Sequence, residues 1–487
     1  MIWSGTVETP VAGEPFLTDE SQCHEMYLQG DELRCAFCGR TQLLIDTNGW
    51  LLEGVPNYET QGKICENIFY GGQGLDPAQP IEKENLMQLI ADSSPAEFSA
   101  YLAKLSQNGY TCEYEYEQDQ NLFASFVKGT QRVYCYYIAS TGEVRVIRES
   151  TEVVASLSDF GYQYTPAPGE GAVVYQYALP MRDADHLKAN GYRDNGMLYV
   201  IKLADNSLVF VDGATVDQFP DSQVEYFMSF LREITGTDED DVLRVAGWYI
   251  THPHGDHMTG LIRALTAYPQ YFDLERVFYN INSTQLGTIS NIPKVLRYID
   301  ELYADDAPQF LRIHTGQVFY LGDVRFQVMH TTEDMVNAKT GEQEVAVGGN
   351  DTSSVLKLSF GGKDFLILGD IDKSAAAVLL ENWSDESLKV DMMQVAHHVL
   401  NVLNDLYRAT RAEVLLVPQS QHRIEEILYV LTSDNRADSW PVLLEYADPE
   451  RIFYQNTYTP GIAVVDGELT CIYSKPVLYD INANQGW

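Results

Sequence analysis

Basic residues are scarce in this 487-residue chain: Lys and Arg together number 32 against 70 Asp and Glu, a formal charge of −38. That deficit removes the cationic surface from which polyanion binding draws most of its affinity, so long DNA or RNA is a poor default partner. Apolar runs approaching the roughly 20 residues of a membrane-spanning helix are also missing, and no membrane span is expected. Cysteines number only seven, an odd count without a regular framework, which argues against a disulfide-stapled scaffold. No basic stretch followed by an apolar one opens the chain at Met1, so no secretory leader is read. Compartment stays unassigned: cytoplasmic by default, secreted or surface-associated if a leader preceded Met1. The signature Gly-x-Ser-x-Gly is absent too, which disfavours acyl-enzyme catalysis on serine.

What is present is ordinary globular composition at a length that calls for two or three structural units. Residues 1–20 lack apolar periodicity and read as a flexible leader. Residues 21–80 open with Cys23 and His24, followed by Cys35-Ala36-Phe37-Cys38-Gly39. Thiolates on such a turn reach one tetrahedral ion, and Cys23 with His24 complete four ligands, with Cys65 in reserve. Structural zinc and free or redox-active thiols both stand as readings. The segment resembles short zinc-ribbon-like modules, from which the adjacent Cys-His departs.

Residues 81–165 read as an α+β accessory domain. A helix is expected from Pro95 to Leu105, with Phe98, Leu102 and Leu105 on one face. Strands follow at Tyr110–Tyr116, Leu122–Val127, Val133–Ile138 and Val144–Ile147. The domain contains no histidine and is given a packing or recognition role. Pro166, Pro168, Gly169 and Gly171 mark a linker within 160–180. From 166 to 487, strand-like and helix-like runs alternate, which predicts α/β layers.

The densest chemistry lies in Gly247-Trp248-Tyr249-Ile250-Thr251-His252-Pro253-His254-Gly255-Asp256-His257. An apolar strand ends in a turn that gathers three imidazoles and a carboxylate, and burying such groups without partners is costly. Metal supplies the partners. His252 and His254 converge on one ion, and Asp256 and His257, a turn later, on a second about 3.5–4 Å away. Two divalent ions are therefore expected, zinc first, with manganese or iron open.

The His-x-His-x-Asp-His pattern after a strand resembles the signature of the metallo-β-lactamase superfamily, whose fold is an αββα sandwich. Leu208-Val209-Phe210-Val211-Asp212-Gly213 is similar to that family's strand ending in Asp-Gly, which implies that Asp212 supports the metal loop. Lys363 to Asp370 resembles its strand-Gly-Asp element, which implies that Asp370 bridges the two ions. Val390 to His398 resembles the final histidine motif, with His397 favoured over His398 as ligand to the second ion.

The pattern is not complete. A further His-Thr-x-Gly-His turn is missing, since His330-Thr331-Thr332-Glu333-Asp334 lacks its second half. Gly349-Asn350-Asp351-Thr352-Ser353-Ser354-Val355-Leu356 instead resembles an element of the hydrolase domains of bacterial DNA-uptake channel proteins and related secreted hydrolases. Those relatives carry His-His-Gly where this chain has His397-His398-Val399. Asn350 and His330 are candidates for contact with substrate or metal, His422 for the same cleft, while His24, His186 and His314 have no supporting context.

The reading is a metal-dependent hydrolase in which metal-bound hydroxide attacks a phosphodiester or small ester, soluble or surface-linked, with Asp256 orienting the nucleophile. The alternatives are a lactone, thioester or β-lactam hydrolase, and a metal-containing recognition protein without turnover.

Overall fold

A computed structural model describes residues 26–29, 32–35, 41–43, 50, 52, 54–67, 86–150, 165–167, 170–179, 196–280, 291–335, 349–421, 424–425, 428, 438–456 and 458–476. Cys23, His24, Cys38, His186 and His422 lie outside them, and Cys35 is described only as backbone, at the end of the strand Glu32–Cys35. The zinc-knuckle reading thus falls outside the described residues.

Two mixed sheets form the larger unit. The first runs Gln309–Arg312, Arg276–Tyr279, Leu243–Ile250, Leu208–Asp212, Leu198–Lys202, Val173–Gln176, Tyr458–Val465, Glu468–Pro476, with Phe272–Leu274 beside Leu243–Ile250. The second runs Val318–Leu321, Val324–His330, Val355–Phe360, Lys363–Ile367, Met392–Gln394, Val414–Val417, Ile452–Tyr454. Strand alternation sends successive side chains to opposite faces. Val209 and Val211 accordingly enter the apolar layer between the sheets, opposite Leu356, Phe365 and Ile367. Leu208 and Phe210 face the other way, toward Phe227 and Leu231 of the helix Asp221–Thr235. Helices Lys373–Asn382 and Asn404–Thr410 cover the outer face of the second sheet. The result is the expected αββα sandwich.

In each sheet an antiparallel half meets a parallel half. Leu208–Asp212 runs parallel to Leu243–Ile250, and Lys363–Ile367 parallel to Met392–Gln394. The carboxyl ends of parallel strands are where open α/β sheets expose ligand-binding loops. Asp212, His252, Asp370 and the His397-His398 pair all follow such ends.

The accessory domain is a six-stranded sheet, ordered Lys63–Asn67, Leu86–Ala91, Glu143–Ser150, Gln131–Ile138, Asn121–Lys128, Thr111–Gln118. The four strands of the expected meander are present, and the helix spans Pro95–Gln107 with Ser94 accepting from the Glu97 amide as its N-cap. The domain starts ahead of residue 81. Leu52, Val55 and Tyr58 pack under the helix, and Cys65 sits in the edge strand opposite Leu89. That segment escaped the sequence reading because an edge strand of five residues carries little periodicity.

Both faces of this sheet are buried, one under its helix and the other against the second sheet of the sandwich and its helices. Phe123 stacks on Trp383 at 5.8 Å and 9°. A Cβ at Gly316, whose φ is +86°, would lie 2.0 Å from the Phe123 ring. Polar groups tie the same junction: Tyr134 Oη donates to the Thr315 carbonyl at 2.8 Å, and Arg145 Nε to that of Glu333 at 3.1 Å. His314 bridges the units, with Nε2 2.8 Å from Glu149 and Nδ1 2.6 Å from Glu333. Burial opposes charge on this imidazole, yet the two carboxylates outweigh it and push its pKa up to about 9. Among the described residues, no helix is long and apolar enough to cross a membrane.

Candidate metal centre

The site is built from loops that leave the carboxyl ends of four strands. Asp212 ends its strand with φ +58° and is fully buried. Its Oδ1 accepts the Thr251 amide at 2.8 Å, while Oδ2 accepts Thr251 Oγ1 at 2.9 Å and faces His257 Nδ1 at 2.6 Å. One carboxylate thus fastens both ends of the His252–His257 turn, where it was expected to act as support.

These hydrogen bonds select tautomers. Thr251 Oγ1, having given its proton to Asp212, accepts from His252 Nδ1 at 3.0 Å. The Nε2 lone pair of His252 is left pointing at His254 Nδ1, 2.9 Å away, and Asp370 Oδ2, 3.7 Å away. His398 Nδ1 donates to the Pro418 carbonyl at 2.9 Å, which turns its Nε2 toward Asp370 Oδ2 at 3.3 Å and Asp256 Oδ2 at 4.0 Å. His257 Nε2 lies 3.2 Å from the same Asp370 oxygen. An imidazole anchored through one nitrogen and open at the other is the arrangement found at metal ligands.

Charge divides the imidazoles: burial opposes charge at His257 and His398, but the Asp370 carboxylate outweighs it and raises both, while His252 is lowered. Burial holds the His252 imidazole well below its ordinary value and hence neutral, the metal-binding form. Burial works against ionisation of Asp370, but the His398 and His257 imidazoles hold its carboxyl well below the usual range. Two clusters have the spacing of an ion site, His252 with His257 and Asp370, and Asp256 with His257 and His398. Asp370 Oδ1 is buried without a hydrogen-bond partner among the described residues, as a carboxylate awaiting a cation would be. The donor set, imidazole nitrogens and carboxylate oxygens, fits divalent zinc, manganese or iron.

Of the two adjacent histidines, His398 is the one grouped with Asp256 and His257; His397 was favoured from sequence. The cause is backbone conformation. His397, His398 and Val399 have φ of +48°, +50° and +62°, and this left-handed run aims neighbouring side chains apart. His398 is fully buried, whereas the His397 side chain is 18% exposed and meets Asn350 Nδ2 at 3.0 Å. His330 lies outside both clusters, buried, with Nδ1 3.4 Å from Asp334 Oδ2.

Sequence reasoning missed the supports: Thr251, Ser353, whose Oγ accepts the Asp370 amide at 3.0 Å, and the Pro418 carbonyl. Only Thr251, adjacent to the motif, offered a signal. Gly369 is equally fixed, since a Cβ there would lie 3.0 Å from Ser353 and 3.1 Å from Thr251 at φ +58°.

No protein-family model matches this sequence, and no curated protein is similar to it. Solved structures resemble parts of it at low scores. A metallo-β-lactamase fold protein, YhfI from Bacillus subtilis, is 10% identical, with a TM-score of 0.33 over 58% of this chain and 96% of that one. A diphosphatase of the PhnP family is 12% identical, with a TM-score of 0.29 over 52% and 91%. Zinc-bound PqqB from Methylobacterium extorquens is 11% identical, with a TM-score of 0.27 over 49% and 76%. At these scores the likeness carries no inference about activity.

Proposed function

We propose that this chain is a metal-dependent hydrolase with two divalent ions, acting on a phosphodiester or small ester. The observation that carries the reading is the convergence of His252, His257 and His398 nitrogens on one oxygen of Asp370, within 3.2–3.7 Å. His252, His254 and Asp370 would hold the first ion, and Asp256, His257, His398 and Asp370 the second. Bound there, the ions supply a Lewis acid and bring the pKa of a coordinated water down toward about 7.

The chain's own residues do the rest. Asp212, Thr251 and the Pro418 carbonyl keep the Nδ1 protons of His257, His252 and His398 occupied, so that every Nε2 stays available. Asp256, 17% exposed where its partners are buried, is the carboxylate placed to accept a hydrogen bond from the attacking water. Asn350, beside His397, supplies an amide at the same mouth. The excess of 38 negative charges favours small or surface-linked esters over long nucleic acid.

The test is a panel on the zinc- or manganese-loaded protein: bis-p-nitrophenyl phosphate, nitrocefin, and simple lactones and thioesters. Turnover of the phosphodiester that disappears in His254→Ala supports the proposal. Turnover confined to nitrocefin or lactones transfers the reading to that class, and inertness toward all of them at full metal content leaves a recognition protein.

A further inference from the structure

In the two-ion reading the first ion has two imidazoles and a shared carboxylate. His252, His254 and Asp370 provide three donors, of which Asp370 is shared, and the sequence between His257 and His397 offers only His314 and His330 as further imidazoles. The structure commits His314 elsewhere, while both ring nitrogens of His330 are buried without a hydrogen-bond partner among the described residues. His314 is clamped between Glu149 and Glu333 at the accessory-domain junction, and His330 faces Asp334 from the end of its strand. Neither ring belongs to the clusters around Asp370; His397 falls outside them too, but its Nε2 lies 4.0 Å from Asp370 Oδ2.

One imidazole at the site has no role so far. His397 Nε2 lies 4.0 Å from Asp370 Oδ2, close to the 3.7 Å of His252. Ligands bound at 2.0–2.1 Å around a tetrahedral ion sit roughly 3.3–3.4 Å apart, so His397 must approach Asp370 by roughly 0.6–0.7 Å to share an ion with it. The Asn350 amide lies along this edge of the ring, its Nδ2 3.0 Å from Nε2 and 3.5 Å from Nδ1. Asn350 Oδ1 is buried without a hydrogen-bond partner among the described residues, as is Asp370 Oδ1.

The backbone explains why two neighbours serve two ions. Consecutive left-handed residues are costly, roughly 1–2 kcal/mol each without glycine, and here three occur in a row, the last a β-branched valine. Strain of this kind persists where the surrounding structure over-determines it. Its effect is to turn His398 toward Asp256 and His397 toward Asn350, both within reach of the same Asp370 oxygen, at 3.3 and 4.0 Å.

We infer that His397, beside Asn350, is the third imidazole ligand of the ion carried by His252 and His254, in addition to the shared Asp370. The inference rests on the two-ion reading above. Asn350 acts as a positioning residue.

Metal binding without substrate separates the two ideas. Zinc stoichiometry and dissociation constants are measured by competition with a chromophoric chelator on the intact chain, with cobalt absorption reporting ligand number. Wild type should bind two equivalents. His397→Ala should weaken one ion by more than about 10–100-fold, the loss expected when a supporting contact alone is removed, and Asn350→Ala by about that amount. His397→Ala combined with His254→Ala should still hold one ion, whereas combined with His398→Ala it should hold none tightly. His397→Asn, which tolerates the left-handed conformation, guards against misfolding and should match the alanine variant. Two ions at wild-type affinity in both His397 variants would overturn the inference while leaving the two-ion reading intact. One ion retained in the His397/His398 double variant would likewise overturn it, by placing both rings on the same ion. A wild type that takes up no metal overturns the two-ion reading, and the inference with it.

Discussion

His314 shows how far a single side chain can depart from its sequence context. Nothing around it in the chain marks it, yet it is buried between Glu149 and Glu333, 165 residues upstream and 19 downstream. Because its pKa in the folded protein, about 9, exceeds the unfolded value near 6.5, its contribution to stability is fully present below about pH 6.5. It is lost as pH rises through 9, on the order of 3 kcal/mol in all. Urea unfolding between pH 6 and 10 should show that decline, and His314→Gln should flatten it while lowering stability at pH 6.5. A pH-independent wild type would remove His314 from this role. The contrast with His252, His254, Asp256 and His257 is instructive. Those four were legible because one turn carries them contiguously, whereas partners supplied by distant strands leave no local pattern.

At the scale of elements, the turn after Met392–Gln394 is the most constrained. The glycine expected after a His-His pair is absent, but the conformation it would serve is not, since Val399 adopts φ +62°. Val399 is also nearly fully buried, so packing offsets the strain. Two substitutions separate these effects. Val399→Ala loses packing and keeps the strain, while Val399→Gly loses slightly more packing but relieves roughly 1–2 kcal/mol of it. Glycine should therefore be the more stable of the two by about 1 kcal/mol in thermal or urea unfolding, reversing the order usual for ordinary positions. Alanine more stable than glycine would contradict the left-handed assignment. The strands ending in Asp212 and Ile250 were readable as short apolar runs rich in β-branched and aromatic residues. The choice between His397 and His398 was not, because adjacent residues have no periodicity, and only the backbone torsions decide which ring turns inward.

At the scale of the whole molecule, accessory sheet and sandwich share one apolar cluster, running from Phe123, Tyr134 and Tyr136 to Trp383 and Leu379. The junction also buries His314, Arg145 and Glu149, charges that neither unit could leave unpaired. Unfolding of the described body should accordingly be one cooperative calorimetric transition. Gly316→Ala, which drives a Cβ into the Phe123 ring, should lower its midpoint by several degrees, from about 1–3 kcal/mol of overpacking. Two well-separated transitions in wild type would show that the accessory sheet is an independent appendage. The sequence displayed the two units and their order, but their fusion lies in aromatic side chains that look like ordinary strand residues until the facing surface is known.

The central claim is that this fold organises two metal ions around Asp370. Its most direct test is the metal content of zinc-loaded, desalted protein, measured for wild type and Asp370→Ala together. The account predicts two equivalents per chain in the wild type and loss of both from tight binding in the variant, with the fold retained by circular dichroism. Equal zinc content in the two proteins, or none in the wild type, would contradict it.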